Sequence, residues 1–464
     1  MDWTEESRGV FVKEFGGVEK IYRHISQAFK STGREHWGLY CVYTFETEGS
    51  FQGRCLESAL REAWKSLGHF FPGLAVVPDG ISKKKHAVAD ASELEAWASE
   101  TFIVEKETDP DGILASYPLK DLPSMHFVPE SSQIVFLASH WRIDGIGTMM
   151  LLDRFFSFLA NGSPTPACET WARNLDRISP SLENAVGAPD NAEQDPELEA
   201  FARNYIDDHH RNAVHSGGLP YRGDETTPPG QAARTAVIIN QASTTALVAA
   251  CKERGISVTS AVHAALAEAV FALSHDSAER YSAVISVNMR GHLAPPYDGR
   301  DHAVQTYVTG VTPSVARSTS WQGRAQQLTA FYKGGWYSTK FVRAMRLIYQ
   351  YHSDALFKAK PRADGAPPPK PPSNVLISSL GVVDKVFARE HGKGARFVRV
   401  TDFQFGVSMM TRQLLLYVWT FAGKLNLSVN YNDAYHGEQG VLKFLGFIVD
   451  VLQKELGISL ESEN

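Results

Sequence analysis

Apolar positions recur along the first half of this chain with two periods, one typical of strands and one typical of helices. GLYCVYTFE at 38–46 and QIVFLAS at 133–139 are short runs rich in β-branched and aromatic residues, which predict strands. RCLESALREAWKSL at 54–67 and the stretch that follows residue 145 place their apolar residues at helical spacing. The pattern therefore predicts a mixture of strands and helices.

The second half of the chain repeats this mixture. Strands are predicted at 234–240, 281–288, 374–380, 413–423 and 424–432, the last two as a hairpin, and helices at 243–254, 257–274, 437–455 and over most of 319–358. A Gly- and Pro-rich stretch, SGGLPYRGDETTPPGQ, precedes the first of these strands. We therefore predict an α/β (α+β) protein with an N-terminal lobe at 1–215, a linker at 216–233 and a C-terminal lobe at 234–464.

Composition and charge narrow the function classes. The 464 residues are 43% apolar and 21% charged, which is typical of a globular protein, and the net charge of −6 argues against a nucleic-acid partner. We find no apolar run long enough to span a membrane and no signal peptide, so a cytoplasmic monomer is expected. The four cysteines form no CxxC pair, which argues against a zinc site or a disulfide framework.

One loop carries candidate chemistry. ASHWRIDGIGT at 138–148 follows a predicted strand, precedes a predicted helix, and contains His140, Asp144 and Gly145. A histidine at a strand end is suited to act as a general base, because its reference pKa lies near neutrality. From the residues alone, Asp144 either orients His140 or holds the loop in shape through a distant arginine. Gly145 gives the backbone freedom for a turn. The chain contains no G-x-S-x-G, so we expect no acyl-enzyme.

Two polar clusters have simpler interpretations. Asp207, Asp208, His209 and His210, with His215, are interpreted as a charged helix face on which Asp207 and Arg211 pair, and no metal site is predicted. The cluster at 83–86, KKKH, is interpreted as a solvated loop rather than as a site that steers an anionic acyl donor.

The loop and four further stretches together resemble the chloramphenicol-acetyltransferase-like superfamily, which includes BAHD acyltransferases and condensation domains. SHWRIDGIGTMMLLDRFF looks like the catalytic loop and its helix, and LGHFFPGLAVV at 67–77 and SVNMRGHLAPPYDG at 286–299 are similar to other family segments. TDFQFG at 401–406 looks like a degenerate DFGWG motif, which argues against a plant BAHD enzyme. LISSLGVVDK at 376–385 instead resembles fungal trichothecene 15-O-acetyltransferase-like enzymes.

This resemblance implies two similar lobes, each a mixed sheet flanked by helices, with a tunnel between them. It implies His140 as general base, an Asp144 that points away from the site and pairs with Arg290, and Gly145 at the turn. It places Asp402 and Gly406 in a remote structural loop, and it makes Ser378, or alternatively Ser379, a hydrogen-bond donor to the oxyanion. The implied reaction is acetylation of a hydroxyl on a fungal terpenoid or polyketide alcohol, with acetyl-CoA as co-substrate and no bound cofactor or metal.

Two alternatives stay open at the level of sequence. A condensation-type enzyme would form an amide or ester from a carrier-protein thioester. A non-transfer enzyme of the same fold, such as an epimerase or cyclase, would use His140 for proton transfer.

Overall fold

The computed structural model describes residues 3–49, 55–87, 91–162, 175–214, 217–274, 278–357, 371–393 and 396–463. The strands in these ranges are β1 (Thr4–Ser7), β2 (Val10–Glu14), β3 (Leu39–Gly49), β4 (Val77–Asp79), β5 (Lys83–Ala87), β6 (Phe102–Val104), β7 (Ser124–Val128), β8 (Gln133–Ala138), β9 (Ala232–Ile239), β10 (Arg280–Ser282), β11 (Ile285–Asn288), β12 (Val308–Val311), β13 (Ser314–Ala316), β14 (Val375–Val382), β15 (Glu390–His391), β16 (Arg396–Val407), β17 (Leu414–Phe421), β18 (Lys424–Asn432) and β19 (Ser462–Glu463).

The α-helices are α1 (Gly17–Ser26), α2 (Leu56–Phe70), α3 (Ala91–Thr101), α4 (Pro110–Ser116), α5 (Gly145–Asn161), α6 (Leu182–Ala185), α7 (Pro196–Val214), α8 (Gln241–Glu253), α9 (Val258–Leu273), α10 (Trp321–Ala330), α11 (Thr339–Arg343), α12 (Met345–Phe357) and α13 (Glu438–Leu456). In the described ranges no single helix has the length and hydropathy of a membrane span, and α8 and α9 meet that test only as a pair bent by 92°.

The chain forms two compact units, and each unit is assembled from several segments. Unit 1 contains Met1–Gly187, Asn288–Val308 and Asp384–Ser408, and unit 2 contains the remaining segments. The chain therefore first leaves unit 1 after Gly187, ahead of the linker predicted at 216–233, and it later returns twice. The second return is required by β16, which pairs with β3 along the whole length from Leu39 to Gly49.

Unit 1 is built on a mixed six-stranded sheet in the order β15-β16-β3-β8-β7-β6. Strands β3 and β8 occupy its centre, and Ile134 to Ala138 of β8 are buried on both faces of the sheet. Helices α2 and α5 pack against each other beside this sheet. The apolar run that predicted a strand at 133–139 is therefore the central strand that leads to the candidate loop.

The lysine-rich stretch at 83–86 is strand β5 of a second, four-stranded sheet of unit 1, so its interpretation as a solvated loop is wrong. Alternate side chains of a strand face opposite sides of the sheet, so Lys84 and His86 turn inward while Lys83 stays exposed. Lys84 is buried and forms an ion pair with Glu19 of α1. This pair compensates a buried ammonium group that would otherwise be costly to desolvate.

Unit 2 is built on a mixed five-stranded sheet in the order β14-β17-β18-β9-β19. Helices α8, α9 and α13 pack against this sheet and against one another. The predicted hairpin is β17–β18, with Phe421 paired to Lys424, so its two turn residues are Ala422 and Gly423. Both have positive φ, 50° and 77°, as a type I′ turn requires. The α/β prediction with mixed sheets flanked by helices is confirmed.

Candidate active site

His140 stands at the junction between a buried strand and a helix. Strand β8 ends at Ala138, and a tight turn follows in which the Arg142 amide donates to the carbonyl of Ser139 at 3.0 Å. Asp144 is the N-cap of α5, since its carboxylate accepts a hydrogen bond from the Gly147 amide at 2.8 Å. The strand, loop and helix predicted from the sequence are therefore present, and they fix both ends of the His140 loop.

The carboxylate of Asp144 is fully engaged in structural bonds. Besides the Gly147 amide, it accepts two bonds from one guanidinium nitrogen of Arg290, at 2.8 and 2.9 Å, and one from the Tyr307 amide at 2.7 Å. The exposed fractions of the Asp144 and Arg290 side chains are 1% and 5%. The ion pair that the resemblance implied is thus present, and the carboxylate is held by Arg290 and backbone amides rather than directed at the His140 ring.

The imidazole of His140 is stacked on one face and buried at one nitrogen. The Tyr22 ring stacks on it, with centroids 4.0 Å apart and planes 5° from parallel. Its Nδ1 is buried without a regular hydrogen bond, and the residue as a whole is half-buried. Burial lowers the pKa of His140, while its own carbonyl group and the Asp144 charge act in the opposite direction. Among the described residues Nε2 has no hydrogen-bond partner, so this nitrogen is available to a substrate proton.

The residues on either side of His140 are anchored independently. Ser139 donates to the Glu35 carboxyl group at 2.9 Å, and burial raises the pKa of Glu35 to about 8. The Arg142 guanidinium donates to the carbonyl oxygens of Gly73 (2.5 Å) and Asp121 (2.7 Å). Because both flanks of the loop are fixed in this way, the position of the His140 backbone between them is fixed as well.

Two glycines of the loop differ in what they require. Gly145 begins α5 and is not among the described glycines with positive φ, so the turn does not depend on the conformational freedom expected of it. Asp144 makes the turn instead, as the helix cap. A Cβ on Gly147 would lie 2.2 Å from the Ala303 carbonyl oxygen, so only glycine fits there. The role of Gly147 as a packing position was not predicted.

The segment 305–307 was also missed. The Thr306 hydroxyl donates to the carbonyl oxygen of His140 at 2.6 Å, and the Tyr307 amide reaches Asp144. Both residues follow the Arg290 stretch by only fifteen or so positions, yet neither belongs to a recognisable motif. Tyr22 likewise lies in a helix whose sequence gives no sign of contact with His140. Only the fold brings these three residues to the loop.

The remaining predicted site residues lie in strands. Ser378 and Ser379 belong to β14 of unit 2. The Ser379 hydroxyl lies 3.0 Å from that of Thr259, whereas no partner is described for the Ser378 hydroxyl. Asp402 and Gly406 belong to β16 of unit 1 and pair with Thr44 and Tyr40, so the expectation of a loop at 401–406 is wrong. Phe403 and Phe405 stand at alternate positions of this strand and are both buried, as expected for a strand with one buried face.

The His- and Asp-rich helix holds no metal centre among the described residues, where no group of three or more His, Cys, Asp or Glu side chains is placed to bind an ion. Arg211 pairs with Asp208 at 2.8 Å, one position from the predicted partner Asp207. The His209 ring forms a hydrogen bond with the Thr312 hydroxyl, with 2.6 Å between Nδ1 and the hydroxyl oxygen. His215 lies outside the described residues.

Comparison with known proteins finds relatives along the whole chain. A family model described as phthiocerol/phthiodiolone dimycocerosyl transferase C-terminus matches residues 228–430. The O-acetyltransferase pigM of Monascus ruber is 46% identical over 99% of this chain and 88% of its own length. The azaphilone biosynthesis cluster protein M of Aspergillus terreus is 38% identical over 97% of each chain.

The fold is shared with a solved fungal enzyme. The structure of TRI3 trichothecene 15-O-acetyltransferase from Fusarium sporotrichioides matches with a TM-score of 0.79 and covers 97% of this chain and 96% of that one, at 16% identity. This match confirms the predicted fold class, and the identities to the two relatives exceed what a shared fold alone requires. The chain is therefore an acetyltransferase and belongs to the family of fungal O-acetyltransferases of secondary metabolism.

Proposed function

We propose that this protein transfers an acetyl group from acetyl-CoA to a hydroxyl of a polyketide-derived fungal metabolite of the azaphilone type, with His140 as general base. The base assignment rests on the two nitrogens of the His140 ring, which is stacked on Tyr22. Nδ1 is buried, whereas Nε2 is not among the buried atoms and has no hydrogen-bond partner among the described residues. The acceptor class is drawn from the azaphilone cluster to which one relative belongs.

The proposed reaction proceeds without an acyl-enzyme. The acceptor hydroxyl donates to Nε2 of His140, and the ring takes this proton as the oxygen attacks the thioester carbonyl carbon. A carbon–oxygen bond forms and the carbonyl electrons move to the oxyanion. The oxyanion then collapses, the carbon–sulfur bond breaks, and the thiolate leaves with the proton that His140 returns. Both substrates must be bound at the same time, because the proposed reaction has no covalent acetyl-enzyme intermediate.

The lowered pKa of His140 suits this role. A base that is neutral at the working pH is ready to accept a proton, and burial keeps His140 neutral. Asp144 and Arg290 act on the shape of the loop rather than on the proton. Ser378 is our candidate for a hydrogen bond to the oxyanion in preference to Ser379, because the Ser379 hydroxyl already meets Thr259. Gly145, Asp402 and Gly406 are expected to contribute only structure.

The test is an acetyl-transfer assay with the full chain. The purified protein is mixed with acetyl-CoA and a panel of azaphilone alcohols, and thiol release is followed together with product mass. We expect one thiol released for each acetyl group gained by one acceptor class, and neither event with His140→Ala. Thiol release that persists in His140→Ala would remove the base assignment. Transfer that occurs only from a carrier-protein thioester would replace acetyl-CoA as the donor.

A further inference from the structure

We propose that Trp37 is a specificity-determining residue for the acceptor: its indole ring, held by an irregular stretch of backbone in unit 1, contacts the planar ring system of the alcohol. This inference rests on the proposed function, in which the acceptor hydroxyl meets Nε2 of His140. It names the part of the acceptor that the protein recognises, a flat and conjugated ring body, and the side chain that recognises it.

The backbone at Trp37 has a conformation that a bulky residue rarely adopts. Its φ is 61°, in the left-handed region, where Cβ crowds the following carbonyl oxygen. The other described non-glycine residues with positive φ are Ser132 and Ala422, which are small and lie in turns. Trp37 is therefore an outlier, and strained residues of this kind concentrate at functional sites.

The left-handed residue forms a β-bulge just ahead of β3. The Trp37 amide donates to the Ser408 carbonyl at 2.8 Å, and the Ser408 amide donates to the Gly38 carbonyl at 2.8 Å, so two residues stand opposite one. Bulges change the direction of a side chain, and glycine is the usual residue where the first position of a bulge is left-handed. Here the first position is tryptophan, and the glycine follows it.

The glycine at position 38 is required by packing. A Cβ on Gly38 would lie 2.3 Å from the ring of Tyr117, whose hydroxyl donates to the carbonyl groups of Leu39 at 2.8 Å and Ala138 at 3.1 Å. The backbone that follows Trp37 is thus fixed. The Trp37 Nε1 group is buried without a hydrogen-bond partner among the described residues, so no polar contact of the indole explains the strained position.

The bulge places the indole beside the ring that stacks on His140. The centroids of the Trp37 and Tyr22 rings lie 6.0 Å apart, with their planes at 45°, and the Tyr22 centroid lies 4.0 Å from that of His140. Tyr22 is 7% exposed, whereas Trp37 is only half-buried. Of these two aromatic residues, Trp37 therefore retains the larger exposed surface for an acceptor.

An indole in this position distinguishes acceptors by shape and conjugation. A flat conjugated ring system packs against the indole face or edge, and such aromatic pairs gain attraction beyond the burial of their surface. A saturated ring system of the same size gains only the burial. Because the bulge holds the indole before the acceptor binds, little conformational freedom is lost on binding.

The experiment compares two acceptors with variants of the full chain. The acceptors are a flat bicyclic azaphilone alcohol and its saturated bicyclic analogue, each with acetyl-CoA as donor. Trp37→Leu removes the aromatic ring, Trp37→Phe keeps one, and Trp37→Gly removes the side chain together with the strain. Trp3→Leu is the matched control, because Trp3 is also a half-buried tryptophan of unit 1 but packs against His86.

We expect Trp37→Leu to raise the KM for the flat acceptor about tenfold and the KM for the saturated acceptor about twofold. Trp37→Phe should raise the KM for the flat acceptor no more than about threefold, and Trp3→Leu should leave both within about twofold of wild type. In all variants kcat and the KM for acetyl-CoA should stay within about threefold. Denaturant unfolding should show that Trp37→Gly is no less stable than Trp37→Leu, because glycine suits the left-handed backbone.

Equal changes of KM for the two acceptors in Trp37→Leu, or a Trp37→Phe variant as impaired as Trp37→Leu, would overturn the role of Trp37 while leaving His140 as the base. A Trp37→Gly variant less stable than Trp37→Leu would overturn the strain from which the role is inferred. If the wild type acetylates neither alcohol, the proposed function fails. Calorimetric binding of the flat alcohol then decides the inference, since about tenfold weaker binding to Trp37→Leu than to wild type supports it and equal binding overturns it.

Discussion

His140 in unit 1 and His263 in unit 2 are both withdrawn from water, but they are placed differently. His263 lies in the middle of α9, is 1% exposed, and has its Nδ1 3.0 Å from the Tyr332 hydroxyl. Burial alone lowers its pKa to about 3. His140 lies at a strand end, is half-buried, and keeps Nε2 without a described partner.

The difference shows that burial of a histidine is not by itself a sign of catalysis. Burial lowers the pKa of both rings, but at His140 the carbonyl of the same residue and the charge of Asp144 oppose this effect. The lowering of the pKa by burial is therefore partly offset at His140, whereas no such group offsets it at His263. His263 is neutral because a proton there has no compensating group, which suits a core residue of an apolar helix.

The largest expected effect comes from making the same substitution at both histidines. His140→Gln should lower kcat by about a thousandfold, the size of a typical general-base contribution, because glutamine accepts no proton. His263→Gln should stay within about threefold of wild type, since the amide can still bond to the Tyr332 hydroxyl. Acetyl-CoA-dependent thiol release measures both.

Circular dichroism spectra of the two glutamine variants provide the control for folding. Similar losses of activity in two well-folded variants would mean that position in the fold does not separate the two histidines. A thousandfold loss in His263→Gln alone would place the base in unit 2.

The next effect concerns the ion pair that shapes the His140 loop. Asp144→Ala and Arg290→Ala should each lower the free energy of unfolding by about 3 kcal/mol, because each leaves a buried charge without its partner. The double variant should lose clearly less than the sum of the two, as expected for residues in contact. Denaturant unfolding measures the stabilities, and thiol release measures the activity of the folded fraction.

An ion pair that involves the helix of His263, and in which only the arginine is buried, serves as the control. The buried Arg324 guanidinium binds Glu268, which lies on the same helix as His263. Arg324→Ala should therefore also destabilise the protein, but the folded fraction should keep its kcat. Additive losses for Asp144 and Arg290, or equal loss of kcat in Arg324→Ala, would contradict the assignment of the first pair to the active loop.

Local sequence patterns predicted those parts of the fold that depend on neighbours in the chain. The helix predicted at 437–455 is α13, Glu438–Leu456, and the predicted hairpin is β17–β18, because periodicity and turn chemistry decide such elements over a few residues. The strand, loop and helix around His140 were predicted for the same reason. The catalytic and oxyanion roles, the monomeric state and the cytoplasmic location stay predictions.

Features that depend on distant segments were not predicted. The stretch 401–406 was expected to be a loop from the resemblance, but it is a strand because it pairs with β3, which lies near the other end of the chain. The inward orientation of Lys84 is set by Glu19 of α1. The positions of Thr306 and Tyr307 are set by a segment that returns to unit 1 only after the stretch Ala188–Val287 of unit 2. Such contacts cannot be predicted from the spacing of residues along the sequence.

The smallest effect we predict is a difference in pH dependence. In the unfolded chain His263 becomes protonated below about pH 6.5, whereas in the folded protein it becomes protonated only near pH 3. The free energy of unfolding therefore decreases as the pH falls from 6.5 toward 3. Between pH 7.5 and 5.5 this one residue should lower the free energy of unfolding by about 1 kcal/mol. His263→Gln removes that decrease, so its unfolding free energy should depend less on pH than that of wild type.

His140→Gln should show the same change in a smaller amount, because the carbonyl and Asp144 partly offset the burial of the ring. Denaturant unfolding of wild type and both variants at pH 7.5 and 5.5 gives the comparison, and the other histidines cancel in the differences. Equal changes in the two variants would mean that His140 is as intolerant of a proton as His263. A ring of that kind makes a poor base, so this result would weaken the proposed mechanism without any measurement of turnover.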